Sequence, residues 1–307
     1  MNTGQGYKMV SGARTIEIFL PDGEPTGVKV AHIRNRNIEA TYIPRAKLSD
    51  LKSRESLQGV GIYLLVGSSE EHAKPLVYIG EAEVVYTRLL NHNANKDFWN
   101  YAISLTSNSK HLTKTHVKFL EWLCHNKATN ANRCLLENGN IPTKPYAPES
   151  TEADLFDNFD SIDLLVSTLG LNIFQPLTST RQPALTISGN TNTIQSSDDM
   201  LFRIKGRGAE ASGKYTQEGF LVFAGAKLSK DLSESLSKTN VVNIREKLIK
   251  DNVVNDKNGT LFFVENYLFP SPSAAASLIV GNSLNGWITW KLSDGRTLND
   301  IYRKAVL

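Results

Sequence analysis

Gly59-Val60-Gly61-Ile62-Tyr63-Leu64-Leu65-Val66 and, past a polar loop over 67–75, Leu76-Val77-Tyr78-Ile79-Gly80 are the two segments on which the fold turns. The first is an apolar run short enough for a buried strand, and the second matches it in length. Two strands joined by a short loop pair antiparallel, as a hairpin. Successive strand side chains alternate faces, so Gly61, Tyr63 and Leu65 share one side of their strand. Leu76, Tyr78 and Gly80 share one side of the other. Such a pairing sets two phenols on a common surface, and the glycines leave room beside them.

Outward from the hairpin, residues 83–92 have helical spacing, with Val85/Leu89 and Tyr86/Leu90 each four apart. A second helix is expected from Thr113 through Val117, Leu120 and Leu123. Its pattern runs to Leu135-Leu136, where Gly139 and Pro142 stop it. Upstream, residues 14–20 (RTIEIFL) read as a strand ending in the turn Pro21-Asp22-Gly23, and 28–33 and 39–43 as two more strands. Downstream, the acidic stretch 149–163 leads into a helical end at 164–170 closed by Gly170. Residues 178–199 are rich in Thr, Ser, Asn and Gln without periodicity, the best linker in the chain. Strands resume at 201–204 and 220–223, followed by a helix at 242–249, a strand at 261–264 and a small-residue helix at 273–280.

The 307 residues exceed one ordinary domain, and 40% hydrophobic with 21% charged residues is globular composition. No apolar stretch approaches the roughly 20 residues of a membrane-spanning helix. The first residues lack the charged flank and apolar run of a secretion signal, and two cysteines, Cys124 and Cys134, suit a reducing, cytoplasmic setting. Net charge is only +3, but it is segregated: +4 over 1–140, −6 over 141–200 and +5 over 201–307. A basic front and tail suit a polyanion partner; chance clustering explains the same distribution equally well.

Gly61-Ile62-Tyr63, Tyr78-Ile79-Gly80, then Arg88 and Glu121 on following helices, resemble the GIY-YIG nuclease superfamily over about 59–176. Several ordered parts at hairpin-sized spacing make this match specific, where a lone triplet is worthless. The resemblance implies an α/β (α+β) fold with a small central antiparallel sheet flanked by helices. It places a β-rich extension at 1–57, a nuclease domain at 58–177, a polar linker at 178–200 and a smaller α+β accessory domain at 201–307. It also implies a metal-dependent endonuclease that hydrolyses DNA to 5′-phosphate and 3′-hydroxyl ends. In that scheme Tyr63 is the general base, Tyr78 positions water or phosphate, Arg88 binds phosphate, and Glu121 holds one Mg²⁺ or Mn²⁺.

The residue chemistry agrees with those roles. A carboxylate suits a hard cation that keeps most of its waters, and guanidinium donors match phosphate oxygens. His92, four residues after Arg88, matches a histidine of restriction-enzyme members; helix C-terminal capping is its other explanation. Lys74 is a candidate partner for a phenolate, and Asn138 or Asn140 fills the family's Asn position. Glu81 stands where repair members often carry Lys, which tilts the expectation to restriction, phage defence or related DNA processing. A companion methyltransferase and a homo-oligomer for double-strand cutting would follow. Read singly, the tyrosines are strand aromatics, Arg88 a surface ion-pairing residue and Glu121 a solvated carboxylate. Two other functions remain open: a nucleic-acid-binding protein on this fold that does not cut, and a nuclease acting on RNA. His111, His116, Cys124, His125 and Cys134 lack paired-ligand spacing, so zinc is set aside.

Residues 207–225, then Gly286-Trp287, Trp290 and Asp294-Gly295-Arg296-Thr297-Leu298, resemble an uncharacterised domain found behind some GIY-YIG nucleases. Lys205, Arg207, Lys214 and Lys227 make a basic, nucleic-acid-contacting face, on which Tyr215 or Phe220 would stack bases. The alternative is a solvated basic face with Phe220 and Trp287 in the core. Gly206-Arg207-Gly208 reads as a turn.

Overall fold

The computed structural model describes residues 13–68, 71–107, 111–177, 200–237 and 239–304. Among them the chain divides into two units, one of residues up to 68 with 74–177, the other of 71–73 with 200–304. The 178–199 part of the expected linker lies outside the described residues. No helix among the described residues is long and apolar enough to cross a membrane.

The first unit is built on seven strands: β1 (Ile16–Phe19), β2 (Lys29–Ile33), β3 (Ile38–Pro44), β4 (Gly61–Gly67), β5 (Leu76–Ala82), β6 (Tyr101–Ser107) and β7 (Leu135–Leu136). They lie in the order β1-β2-β3-β6-β4-β5-β7, so the N-terminal strands extend the hairpin's own sheet. All neighbours pair antiparallel except β5 with β7. Every residue of β4 is buried, because both faces of the sheet are covered. Ile62, Leu64 and Val66 join a core with α2 (Lys114–Ala131) and α3 (Glu149–Thr168), through residues such as Leu120, Leu123, Phe159 and Ile162. Tyr63 and Leu65 face a second core, with Val85, Tyr86 and Leu89 of α1 (Val85–Asn95) and Leu48, Leu51 and Leu57 of two 3-10 turns.

Three elements differ from the sequence expectation. The sequence reading assigned nothing to Tyr101–Ser107, yet it forms β6, the central strand beside β4. Its Tyr101, Ile103 and Leu105 alternate with Ala102, Ser104 and Thr106, a strand pattern, with Ser104 and Thr106 buried on the tyrosine face. The second helix stops at Ala131 rather than Leu136, because Asn132 adopts a left-handed conformation (φ 52°) at the C-cap. Leu135-Leu136 instead becomes β7: the Leu135 N–H donates to Pro75 O (2.9 Å) and the Glu137 N–H to Val77 O (2.8 Å). The acidic stretch at 149–163 is the body of α3 itself.

The second unit has a four-stranded sheet, β13-β10-β9-β8, and a β11–β12 hairpin. These are β8 (Phe202–Gly206), β9 (Ala209–Thr216), β10 (Gly219–Val222), β11 (Val254–Lys257), β12 (Thr260–Phe263) and β13 (Tyr267–Phe269). Its helices are α4 (Glu234–Ser237), α5 (Val241–Lys250), α6 (Pro272–Val280), α7 (Gly286–Thr289) and α8 (Leu298–Tyr302). It has its own core, with Phe202, Phe220, Phe263, Ile279 and Trp290 among the buried residues. Arg207 (φ 51°) and Gly208 (φ 77°) form the tight β8–β9 turn, in the doubly positive-φ conformation that suits strand twist.

Candidate active site

The β4–β5 register puts Tyr63 opposite Gly80 and Leu65 opposite Tyr78, while β6 sets Ser104 on the other side of Tyr63. Two small cross-strand neighbours give the phenol space to lean across the sheet. It leans over Gly80: a Cβ there would lie 2.3 Å from Tyr63 Oη. The two tyrosine rings stack with centroids 6.1 Å apart. His92, one turn before the end of α1, comes down on both rings, at 5.4 Å from Tyr63 and 5.1 Å from Tyr78. Its Nε2 is 2.8 Å from Tyr63 Oη.

Burial first, and then nearby charges, set the protonation of His92 and Tyr63. Burial, and then the Lys96 and Arg88 charges, bring His92 down to about 4, so the imidazole is neutral at pH 7. Burial and then the Tyr78 phenol push the Tyr63 hydroxyl well above the ordinary phenol range, while Arg88 opposes them. Glu121 acts on the same hydroxyl, which puts Arg88 and Glu121 both within electrostatic reach of Tyr63. Arg88 itself is exposed on α1.

Glu121 rises from α2. Burial, and then the neighbouring Glu81 carboxylate, raise it to about 7, against the pull of the Glu81 main-chain amide and of Lys114 and Lys118. Glu81 follows Gly80 directly on β5, and Lys114 Nζ lies 3.0 Å from its Oε2 and 3.4 Å from Glu83 Oε1. Glu121 and the neighbouring Glu81 offer carboxylate oxygens, the hard donors that Mg²⁺ or Mn²⁺ takes while retaining several waters. Among the described residues no group of three or more His, Cys, Asp or Glu forms a fuller ligand set.

Of the two candidate asparagines, Asn138 is the one that contacts β5. Its Oδ1 accepts the Ile79 N–H (3.1 Å) and its Nδ2 donates to Ile79 O (2.7 Å), so its side chain continues the edge pairing that β7 begins. That is a strand-positioning contact one residue before Gly80. Asn140 is exposed.

Lys74 is not brought to the tyrosines. It precedes β5 at the end remote from Gly80 and donates to Asn132 Oδ1 at the α2 C-cap (3.0 Å). A different lysine is there instead: Lys96, whose Nζ lies 4.7 Å from the Tyr78 ring centroid. The sequence reading missed it, although its spacing of four from His92 and eight from Arg88 was the available signal. Lys114 was missed too, since its partners Glu81 and Glu83 lie on another element.

In the second unit the basic residues do not stand as a free cluster. Lys205 pairs with Glu210 (2.7 Å), whose carboxylate is held below its usual range first by Lys205 and also by Lys227 and Arg203. Lys227 bridges to Glu210 through the main chain, Arg207 is exposed in its turn, and Lys214 lies half-buried opposite Leu221. Phe220 is fully buried against Trp290 (4.3 Å between centroids), so it cannot stack on a base. Tyr215 packs edge-on against Trp287 and Tyr302.

No curated protein and no solved structure matches the chain. Residues 202–302, which make up most of the second unit, are similar to a family described as a domain of unknown function, DUF4357.

Proposed function

We propose that the first unit is a metal-dependent endonuclease of the GIY-YIG type that hydrolyses DNA to 5′-phosphate and 3′-hydroxyl ends. The observation that carries this reading is the Tyr63–His92 hydrogen bond, a buried phenol facing a neutral imidazole with Tyr78, Arg88 and Glu121 around it. Core packing has no need of that constellation. A phenol held this far above neutrality is a poor base by itself. In the tautomer that leaves Nε2 bare, His92 can take the Tyr63 proton as Tyr63 takes one from the attacking water, once a bound phosphate offsets the Lys96 and Arg88 charges that disfavour the imidazolium. The water oxygen then bonds to phosphorus, the P–O3′ bond breaks, and the leaving oxygen takes a proton from bulk water, to which His92 later releases its own. Arg88 balances charge that grows on the phosphoryl oxygens. Glu121, with Glu81 beside it, would hold the divalent cation, which when bound supplies charge neutralisation at the phosphate.

Cleavage of duplex DNA in Mg²⁺ or Mn²⁺ is the test. Arg88→Ala and Glu121→Ala should each cost about 100-fold or more in rate; cutting that survives both substitutions would refute the assignment. Ribose and deoxyribose versions of one oligonucleotide decide between RNA and DNA. An adjacent methyltransferase gene would favour restriction over phage defence or general DNA processing.

One observation favours a second reading, a nucleic-acid-binding protein that does not cut. The Lys114 ammonium already serves Glu81 and Glu83 beside Glu121. That reading predicts salt-sensitive binding with no metal-dependent cleavage in the wild type or in Lys114→Met.

A further inference from the structure

Arg88 and His92 lie one turn apart on one side of α1, and Lys96 follows at its C-cap in extended conformation, so the three make a short stripe. The stripe fronts the two phenols: His92 is bonded to Tyr63, and the Lys96 ammonium lies over the face of Tyr78. The base of the Lys96 side chain is fixed, since its main-chain N–H donates to His92 O (2.9 Å). Neither Arg88 nor Lys96 has an ion-pair partner among the described residues, whereas Lys114, Arg45 and Lys144 in the same unit are all paired. Two cations without ion-pair partners among the described residues therefore flank one phenol–imidazole–phenol group, and both disfavour protonation of His92 between them. Such an arrangement is complementary to an anion with more than one negative centre.

We propose that Lys96 seats the phosphate next to the one that Arg88 takes, so that the site grips two consecutive phosphates of one strand. The proposal rests on the nuclease reading for the identity of the strand, and it specifies the substrate class. The site takes a polynucleotide whose backbone is anionic on both sides of the scissile link, and an isolated phosphodiester is a poor substrate. The two side chains leave the helix about 12 Å apart along its axis, and their length lets them converge towards the phenols from opposite ends. A compact, hydrated ammonium suits a single phosphate oxygen, where Arg88 supplies the planar fork. Lys96 is a positioning residue and takes no part in proton transfer.

The test uses the full chain and a short DNA duplex, with binding measured over a salt series in EDTA. Lys96→Met should weaken binding about eightfold at 0.1 M salt and lower the slope of log K against log [salt] by about 0.9, the share of one phosphate contact. Lys96→Arg should restore both, which a merely structural role for the ammonium stem would not require. A single neutral methylphosphonate linkage, walked along one strand, should find one position where wild type drops to the level of Lys96→Met and the variant loses nothing further. A wild-type salt slope in Lys96→Met, or losses that add at every linkage, would overturn the proposal. Wild type that behaves as expected in binding but never cuts in Mg²⁺ would remove the nuclease reading and leave the phosphate seat standing.

Discussion

Tyr63 is only 1% exposed, and its hydroxyl meets the His92 imidazole; this pair governs what the site can do. The histidine should stay neutral until the pH nears 4, so an NMR titration should show no imidazolium between pH 5 and 8. A transition near the ordinary 6.5 would mean that the ring is solvated and the pair is open. Since the folded value is depressed, His92 contributes stability above pH 6.5 that is lost as the pH falls through about 4. Glu121 has the opposite sign. Its folded value, about 7, lies above the unfolded 4.5, so its ionised form opposes folding at high pH. In EDTA, Glu121→Gln should therefore stabilise the protein at pH 8 by roughly 1–2 kcal/mol, discounted because the carboxylate is only partly buried. That gain should shrink from pH 7 downwards and vanish below about pH 4.5, as thermal melts across the range would record.

Elements carry these residues to their places through contacts that can be removed one at a time. Gly80 is the point of β5 over which the Tyr63 ring passes, and an added Cβ would collide with both Oη and Cζ (2.3 and 2.6 Å). Gly80→Ala should force the ring off its histidine, cost about 1–3 kcal/mol by overpacking and abolish cleavage. A crystal structure of the variant with Tyr63 still on His92 would contradict this. At the edge of the same strand, Asn138→Ala should leave the Ile79 N–H and carbonyl without side-chain partners. Urea unfolding should register a loss of about 1–3 kcal/mol. Asn138→Asp keeps the acceptor but cannot donate to Ile79 O, so it should not restore full stability.

At the scale of the whole molecule, the second unit has a core of its own, closed by Trp290, whose indole N–H donates to Pro272 O (3.0 Å). Buried Arg245 braces it further, donating to the carbonyls of Ser229 and Leu278. Residues 200–307 expressed alone should therefore unfold cooperatively, with one sigmoidal transition by circular dichroism and by tryptophan emission. A broad, non-cooperative melt would show that this core needs the rest of the chain. On the surface of this unit Glu210 sits among Arg203, Lys205 and Lys227, so part of the unit's positive charge is neutralised within the fold.

Local pattern alone determined the hairpin, the faces of its side chains, a helix close to α1 and the start of α2 at Thr113, because apolar periodicity and capping act within a few residues. The alternation that joins Tyr63 to Tyr78 was in the same category. Tertiary structure alone decided the rest. β6 alternates as a strand should, but its central place between β3 and β4, which buries Ser104 and Thr106, came only from the fold. Leu135-Leu136 became a strand because the edge of β5 offered free hydrogen-bonding groups that a helix could not use. Lys96 over Tyr78, Lys114 between Glu81 and Glu83, and Lys74 turned away to Asn132 all depend on contacts between elements. A long cation's partner is chosen by which charge or ring the fold brings within reach, and one-dimensional spacing does not encode that.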